Sequence, residues 1–163
     1  MNDWLAMVAW LSALGSGLIA GVFFAFSAFV MKALGRLPAA QGIAAMQSIN
    51  VVVLNAVFLS VFLGTGVGCL VLLAASVSDW RAPGALALSS GSVIYLAGTI
   101  GVTRISNVPR NNALASVDAA SIDGATLWAD YVVSWTAWNH VRAIAALIAT
   151  ALLVGGLRSL AGA

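Results

Sequence analysis

Four long apolar runs in a chain of only 163 residues constrain the fold more than any motif does. A helix needs roughly 20 apolar residues to cross the hydrocarbon core of a bilayer. The first run extends from Trp4 to Met31 with no internal charge, and the second from about Val51 to Val77. The third covers about Pro83 to Val102 and the fourth about Trp138 to Leu157. Strands of a membrane barrel would alternate in polarity over short segments. These Ala- and Leu-rich runs do not alternate, so the sequence predicts helices. Charged residues make up 7 % of the chain, hydrophobic residues 62 %, and glutamate is absent. A soluble domain carries about 25 % charged residues. This chain cannot cover a water-facing surface, and its first partner is the lipid bilayer.

The expected architecture is therefore all-α, an integral membrane four-helix bundle forming a single domain over residues 1–163. Helices are expected at about 4–31, 51–77, 83–104 and 124–158, with a short interfacial helix after the first and a longer polar connection before the last. The first run has Asp3 where a secretion signal carries positive charge, and it exceeds the usual apolar length, so it is read as a mature helix. Lys and Arg counts set orientation. Arg81 and Arg158 fall on the side of both termini, whereas Lys32, Arg36, Arg104 and Arg110 fall on the other. That places both termini outside and the first and third connections in the cytoplasm, as expected for a bacterial inner membrane.

Small residues at Ala13, Gly17, Gly21 and Ala25 form a stripe on the first helix, with Gly64 and Gly68 on the second and Gly98 and Gly101 on the third. Such spacing lets helices approach closely in lipid; it serves the bundle itself or a second copy, which leaves a homo-oligomer open. Pro38 suits the first turn of a short helix, on which Ile43, Met46 and Ile49 share a side. Arg104 to about Trp138 reads as the longest and most polar connection. Pro109 disfavours helical geometry at Val108, so the third helix is expected to break there. Asp118 and Asp123 mark a solvated turn and the next helix start. Cys69, the single cysteine, excludes an internal disulfide and thiol-exchange chemistry, and is read as filling space.

Two polar clusters can carry chemistry. The first is Ser106-Asn107-Val108-Pro109-Arg110-Asn111-Asn112, where Asn107 and Asn111 either face the bundle or serve as turn residues. The second is Trp135-Thr136-Ala137-Trp138-Asn139-His140-Val141-Arg142. On a helix, Trp135, Asn139 and Arg142 share a face, as do Tyr131, Trp135, Trp138 and Arg142, while His140 lies about 100° from Asn139. The tryptophans read equally as an interfacial belt. An arginine inside an apolar helix needs a partner or a wet cavity, and Asp130 is the nearest carboxylate in sequence. Asn50 and Asn55 bracket the start of the second span; Asn55 is the deeper of the two and needs a hydrogen bond.

One histidine and no glutamate leave too few ligands for a zinc or di-iron site. A haem on His140 alone remains open, since one proximal histidine suffices. Gly64-Thr-Gly-Val-Gly68 lies in an apolar run without a βαβ setting, which argues against a dinucleotide fingerprint. The net charge of +2 is too small and scattered for nucleic-acid binding.

The segments Gly21-Val-Phe-Phe-Ala-Phe-Ser27, Gln47-x-x-Asn50 with Asn55, Asn107-x-Pro109-x-Asn111 and Trp135-x-x-Trp138-Asn139-His140-x-Arg142 together resemble the anthrone oxygenase-like family of small four-helix membrane proteins. The resemblance implies oxidation of an anthrone, or another lipophilic phenol, to a quinone with molecular oxygen and without metal, flavin or other cofactor. Such chemistry needs a base, oxyanion donors and an aromatic pocket. His140 has a suitable intrinsic pKa for the base. Arg142, Asn107, Asn111 and Asn139 suit the donors. Trp135, Trp138, Phe24 and Tyr131 suit stacking on a flat ligand, with Asn50 and Asn55 beside it. The alternatives are a non-catalytic membrane protein that binds a lipid, quinone or protein partner, and a small haem-binding membrane protein.

Overall fold

A computed structural model gives the fold of residues 3–161, with side chains described as far as Ser159. Five helices account for it: α1 (Asp3–Leu34), α2 (Ala39–Val52), α3 (Ala56–Ser78), α4 (Ala85–Ala115) and α5 (Ile122–Ala161). All but α2 are long and apolar enough to cross a membrane. The chain is an integral membrane protein, and no strand interrupts the helices among the described residues. α1 packs on α3 and α5, and α4 packs on the same two, so the spans form a ring in the order α1, α3, α4, α5. Their outer surface presents Leu14, Leu18, Val67, Leu70, Ile144 and Leu147, as expected where lipid rather than water is the solvent.

Small residues bring the spans together, though not all of those in the expected stripes. A Cβ at Gly98 would stand 2.6 Å from that of Ala145, whereas Gly21 and Gly64 face open space. Of the expected pair on α3, Gly68 does make a close α1–α3 approach, against Ser12, and Gly15, outside the expected stripe, makes another against Thr65. Ser16 donates to the Ala146 carbonyl at 2.8 Å and ties α1 to α5. The α3–α4 turn needs glycine at residue 84. Gly84 has φ of +79°, and any Cβ there would meet the Gly156 carbonyl. Cys69 fills space in this core.

The expected break at Pro109 does not occur. Val108 keeps helical dihedrals (φ −60°, ψ −45°), and α4 continues to Ala115. The reason is a π-helical turn at Thr103–Asn107 directly before it. The wider turn carries one more residue, which relieves the clash that a proline ring makes with the preceding turn. The Arg110 side chain takes the Ser106 carbonyl at 2.7 Å. The polar connection is thus mostly helix, and only residues 116–121 link α4 to α5. Ser121 caps α5 by accepting from the Gly124 amide at 2.9 Å, a normal N-cap role.

α2 seals the end of the bundle where α4 and α5 project. Ile43 and Met46 bury against Met31, Leu114, Trp128, Tyr131 and Trp135 in a second core, separate from the one between the spans. Gln47 donates to the Leu114 and Val117 carbonyls at 2.9 and 3.1 Å. It thereby satisfies acceptors that a helix C-terminus leaves open. Asn55 is exposed, not deep. Its Oδ1 accepts from the Phe58 amide at 3.0 Å as the N-cap of α3.

Candidate functional site

The two cores meet at Arg142. Its guanidinium lies 4.1 Å from the Phe23 ring centroid and 5.1 Å from that of Trp135. Phe23 belongs to the inter-span core and Trp135 to the second. The arginine is nearly fully buried, and its side chain runs back toward the helix N-terminus, as helical side chains do. Nη2 donates to Asn139 Oδ1 at 2.6 Å and Nη1 to Thr103 Oγ1 at 3.2 Å; Nε has no partner. Asp130 does not reach it. All five aspartates are exposed and the chain has no glutamate, so Arg142 meets no carboxylate among the described residues. Hydrogen bonds to a charged group are worth about 1.5–3 kcal/mol each. Two of them are comparable with the roughly 2.5–3.5 kcal/mol that placing an arginine mid-membrane costs on insertion scales. The cation is therefore held in place without being neutralised.

Asn139 organises the next layer. Its Nδ2 donates to the Phe23 carbonyl and to Ser27 Oγ, both at 2.7 Å, which turns Oδ1 toward Arg142. Ser27 lies in a π-helical turn of α1, Phe26–Val30. Two further π turns in α4, Tyr95–Gly101 and Thr103–Asn107, flank the same spot. They have a geometric consequence. Thr99, Thr103, Asn107 and Asn111 are spaced by four, and on a regular α-helix each step drifts about 40°. The extra residue of a π turn cancels that drift, so the later members of the row still face α5. Asn107 donates to the Trp135 carbonyl at 3.2 Å. Asn111 Oδ1 accepts from the Tyr131 hydroxyl at 2.8 Å and from Trp135 Nε1 at 2.7 Å.

These bonds fix an aromatic column. Trp128, Tyr131 and Trp135 stack along α5 with centroids 5.6 and 6.1 Å apart, and Phe26 tilts against Trp135 at 5.8 Å. Asn50 borders the Tyr131 hydroxyl from α2, its Nδ2 buried and unpartnered. Asn107 Oδ1 and Thr99 Oγ1 are likewise buried without partners. Unsatisfied buried polar atoms are uncommon; these three accompany Arg142 Nε on the elements that form the cluster, and Ser92 Oγ and Thr136 Oγ1 on α4 and α5 are unpartnered as well. A groove of about 270 Å³ between α1 and α3, at Leu11, Leu14, Gly15 and Leu18, contains none of these groups.

Of the residues expected from sequence, the structure brings together Arg142, Asn139, Asn107, Asn111, Trp135, Tyr131 and Asn50. It does not bring in His140, which is exposed on the outer face of α5. Trp138 and Phe24 also point outward, at 39 % and 64 % exposure. The aromatic that α1 contributes is Phe23, one residue earlier, with Phe26 and Ser27 on the same face. Thr103 and Trp128 complete the cluster. Trp128 had a signal in sequence, since it precedes Tyr131 by three and Trp135 by seven. Thr103 had none, because its register depends on the π turns. No group of three or more His, Cys, Asp or Glu side chains gathers as a metal site among the described residues.

No curated protein matches this chain, and no solved structure does. The sequence profile of the family described as Anthrone oxygenase matches residues 51–152. That stretch includes Asn107, Asn111, Tyr131, Trp135, Asn139 and Arg142 but not Phe23, Ser27 or Asn50. With the match extending over α3, α4 and most of α5, the chain belongs to the anthrone oxygenase family.

Proposed function

We propose that this protein is a cofactor-independent membrane oxygenase that converts a lipophilic anthrone or related phenol to a quinone with O2. The observation that carries the reading is the buried Arg142 guanidinium, uncompensated by any carboxylate among the described residues and set against Phe23 and Trp135. Family membership supports the reaction class. The anion formed when an anthrone methylene loses a proton is electron-rich enough to reduce O2 directly. A carbon–oxygen bond forms and the peroxide takes up a proton. Loss of the second methylene proton with O–O cleavage then releases water and leaves the carbonyl. One oxygen atom ends in the quinone and the other in water, so the balance needs no further reductant. A preorganised cation in a low-dielectric site stabilises such an anion far more than water does.

The cluster contains no histidine or carboxylate, an observation that favours a second reading, a non-catalytic binder of quinones or other flat lipophilic aromatics. The haem reading rests on His140, which faces away from the cluster. Residence in a bacterial inner membrane with both termini outside completes the proposal. The test is oxygen consumption by the full chain in liposomes given a panel of anthrones. Uptake matched one to one by quinone supports the oxygenase. Binding without uptake supports the second reading.

A further inference from the structure

Around Arg142 the satisfied and unsatisfied groups define what a ligand must bring. Two of the guanidinium's five N–H donors are engaged, by Asn139 and Thr103, and Nε is buried and free. Its charge has no counter-ion among the described residues. Among titratable groups on the surrounding elements, the Tyr131 hydroxyl is committed to Asn111. Arg110 is committed to Ser134 and Ser106. α1 contributes Phe23 and Ser27, α2 contributes Asn50, and Lys32, Arg36, Asp130 and His140 are all exposed. The two hydrogen bonds hold the guanidinium but leave its charge without an anion and Nε without an acceptor; a neutral ring would meet neither need, whereas an anion meets both.

We propose that the cluster binds its aromatic ligand as an oxyanion, with Arg142 as the counter-charge, so that binding itself ionises the phenol or enol. The inference rests on the reading above that an aromatic ligand occupies this cluster. The ligand's O–H bond breaks as it enters, its proton passes to water at the membrane surface, and the oxygen keeps the electron pair beside Nε. Ionisation then comes from charge complementarity, which explains why the cluster functions without a histidine or carboxylate in it. Fully buried Thr99, one turn from Thr103, offers a second donor. Phe23 and Trp135 pack on the guanidinium itself, so an anion meets it at the Nε edge in an apolar setting that favours a delocalised anion over a compact hydrated one such as chloride.

The test uses the full chain in detergent micelles and a hydroxyanthraquinone dye, which resists further oxidation and absorbs at longer wavelength when ionised. On binding, the dye's ionisation midpoint falls by about 1–3 units relative to empty micelles, the range an opposite charge within a few ångströms produces. Its methyl ether, which cannot ionise, binds at least tenfold more weakly. Arg142→Gln abolishes the shift and Arg142→Lys keeps part of it. A midpoint unchanged or raised in the native chain, a dye that does not bind, or an ether that binds as tightly as the phenol overturns the proposal. The ether comparison needs no variant and stands even where Arg142→Gln does not fold. A shift without oxygen uptake on any anthrone retains the oxyanion site and removes the oxygenase; uptake without a shift does the reverse.

Discussion

Arg142 donates to the carboxamide oxygen of Asn139, one turn back on the same helix, at 2.6 Å. An amide supplies the acceptor without the charge, so it orients the guanidinium and leaves it cationic. The same amide is anchored through its nitrogen to Phe23 and Ser27 of α1, so the cation is positioned by two spans.

That arrangement predicts the effect of supplying a charge. Asn139→Asp keeps the acceptor, loses both donor bonds to α1 and neutralises Arg142. The variant is expected to remain folded, with a loss of about 1–3 kcal/mol from the donor bonds, measured by thermal unfolding in detergent. Oxygen uptake with an anthrone is expected to fall at least tenfold. Undiminished uptake in a folded Asn139→Asp protein would show that the free charge is not used.

Asn111 holds two aromatic donors on one oxygen. Asn111→Leu leaves the Tyr131 hydroxyl and Trp135 Nε1 buried without an acceptor, at about 1–3 kcal/mol for each unsatisfied group. Unfolding temperature should drop markedly. The near-ultraviolet circular dichroism of the Trp128–Tyr131–Trp135 column should weaken with it.

Glycine substitutions separate packing positions from mere composition. Gly84→Ala forces a left-handed conformation, costing roughly 1–2 kcal/mol, and drives a methyl against the Gly156 carbonyl. Gly98→Ala collides with Ala145. Gly21→Ala and Gly64→Ala meet open space and should leave stability unchanged or raise it by up to about 1 kcal/mol, the helix-propensity difference between the two residues. A loss at Gly21 or Gly64 that grows with protein concentration would instead place a second copy on that face.

The sequence made the bundle legible because span length and apolar composition are set by the bilayer itself. It also placed Trp135, Asn139 and Arg142 on one face, since α5 is regular enough for spacing to hold. It misled at Phe24, where a single residue of phase decides between lipid and interior and two adjacent phenylalanines look alike. Pro109 misled for a related reason. A π turn absorbs the proline, and hydropathy carries no sign of π turns. Thr103 was hidden by the same irregularity. The row Thr99, Thr103, Asn107 and Asn111 looks too widely phased for one face until the helix is seen to widen. His140 attracted interest through its chemistry alone; helical phase puts it about 100° from Asn139, and the structure turns it outward.

The most direct test compares Arg142→Gln with His140→Ala in one oxygen-electrode assay, each as full-length protein in liposomes with an oxidisable anthrone. Uptake is expected to be lost in Arg142→Gln and retained in His140→Ala, with both proteins folded by circular dichroism. Loss in His140→Ala with uptake preserved in Arg142→Gln would overturn the role given to Arg142.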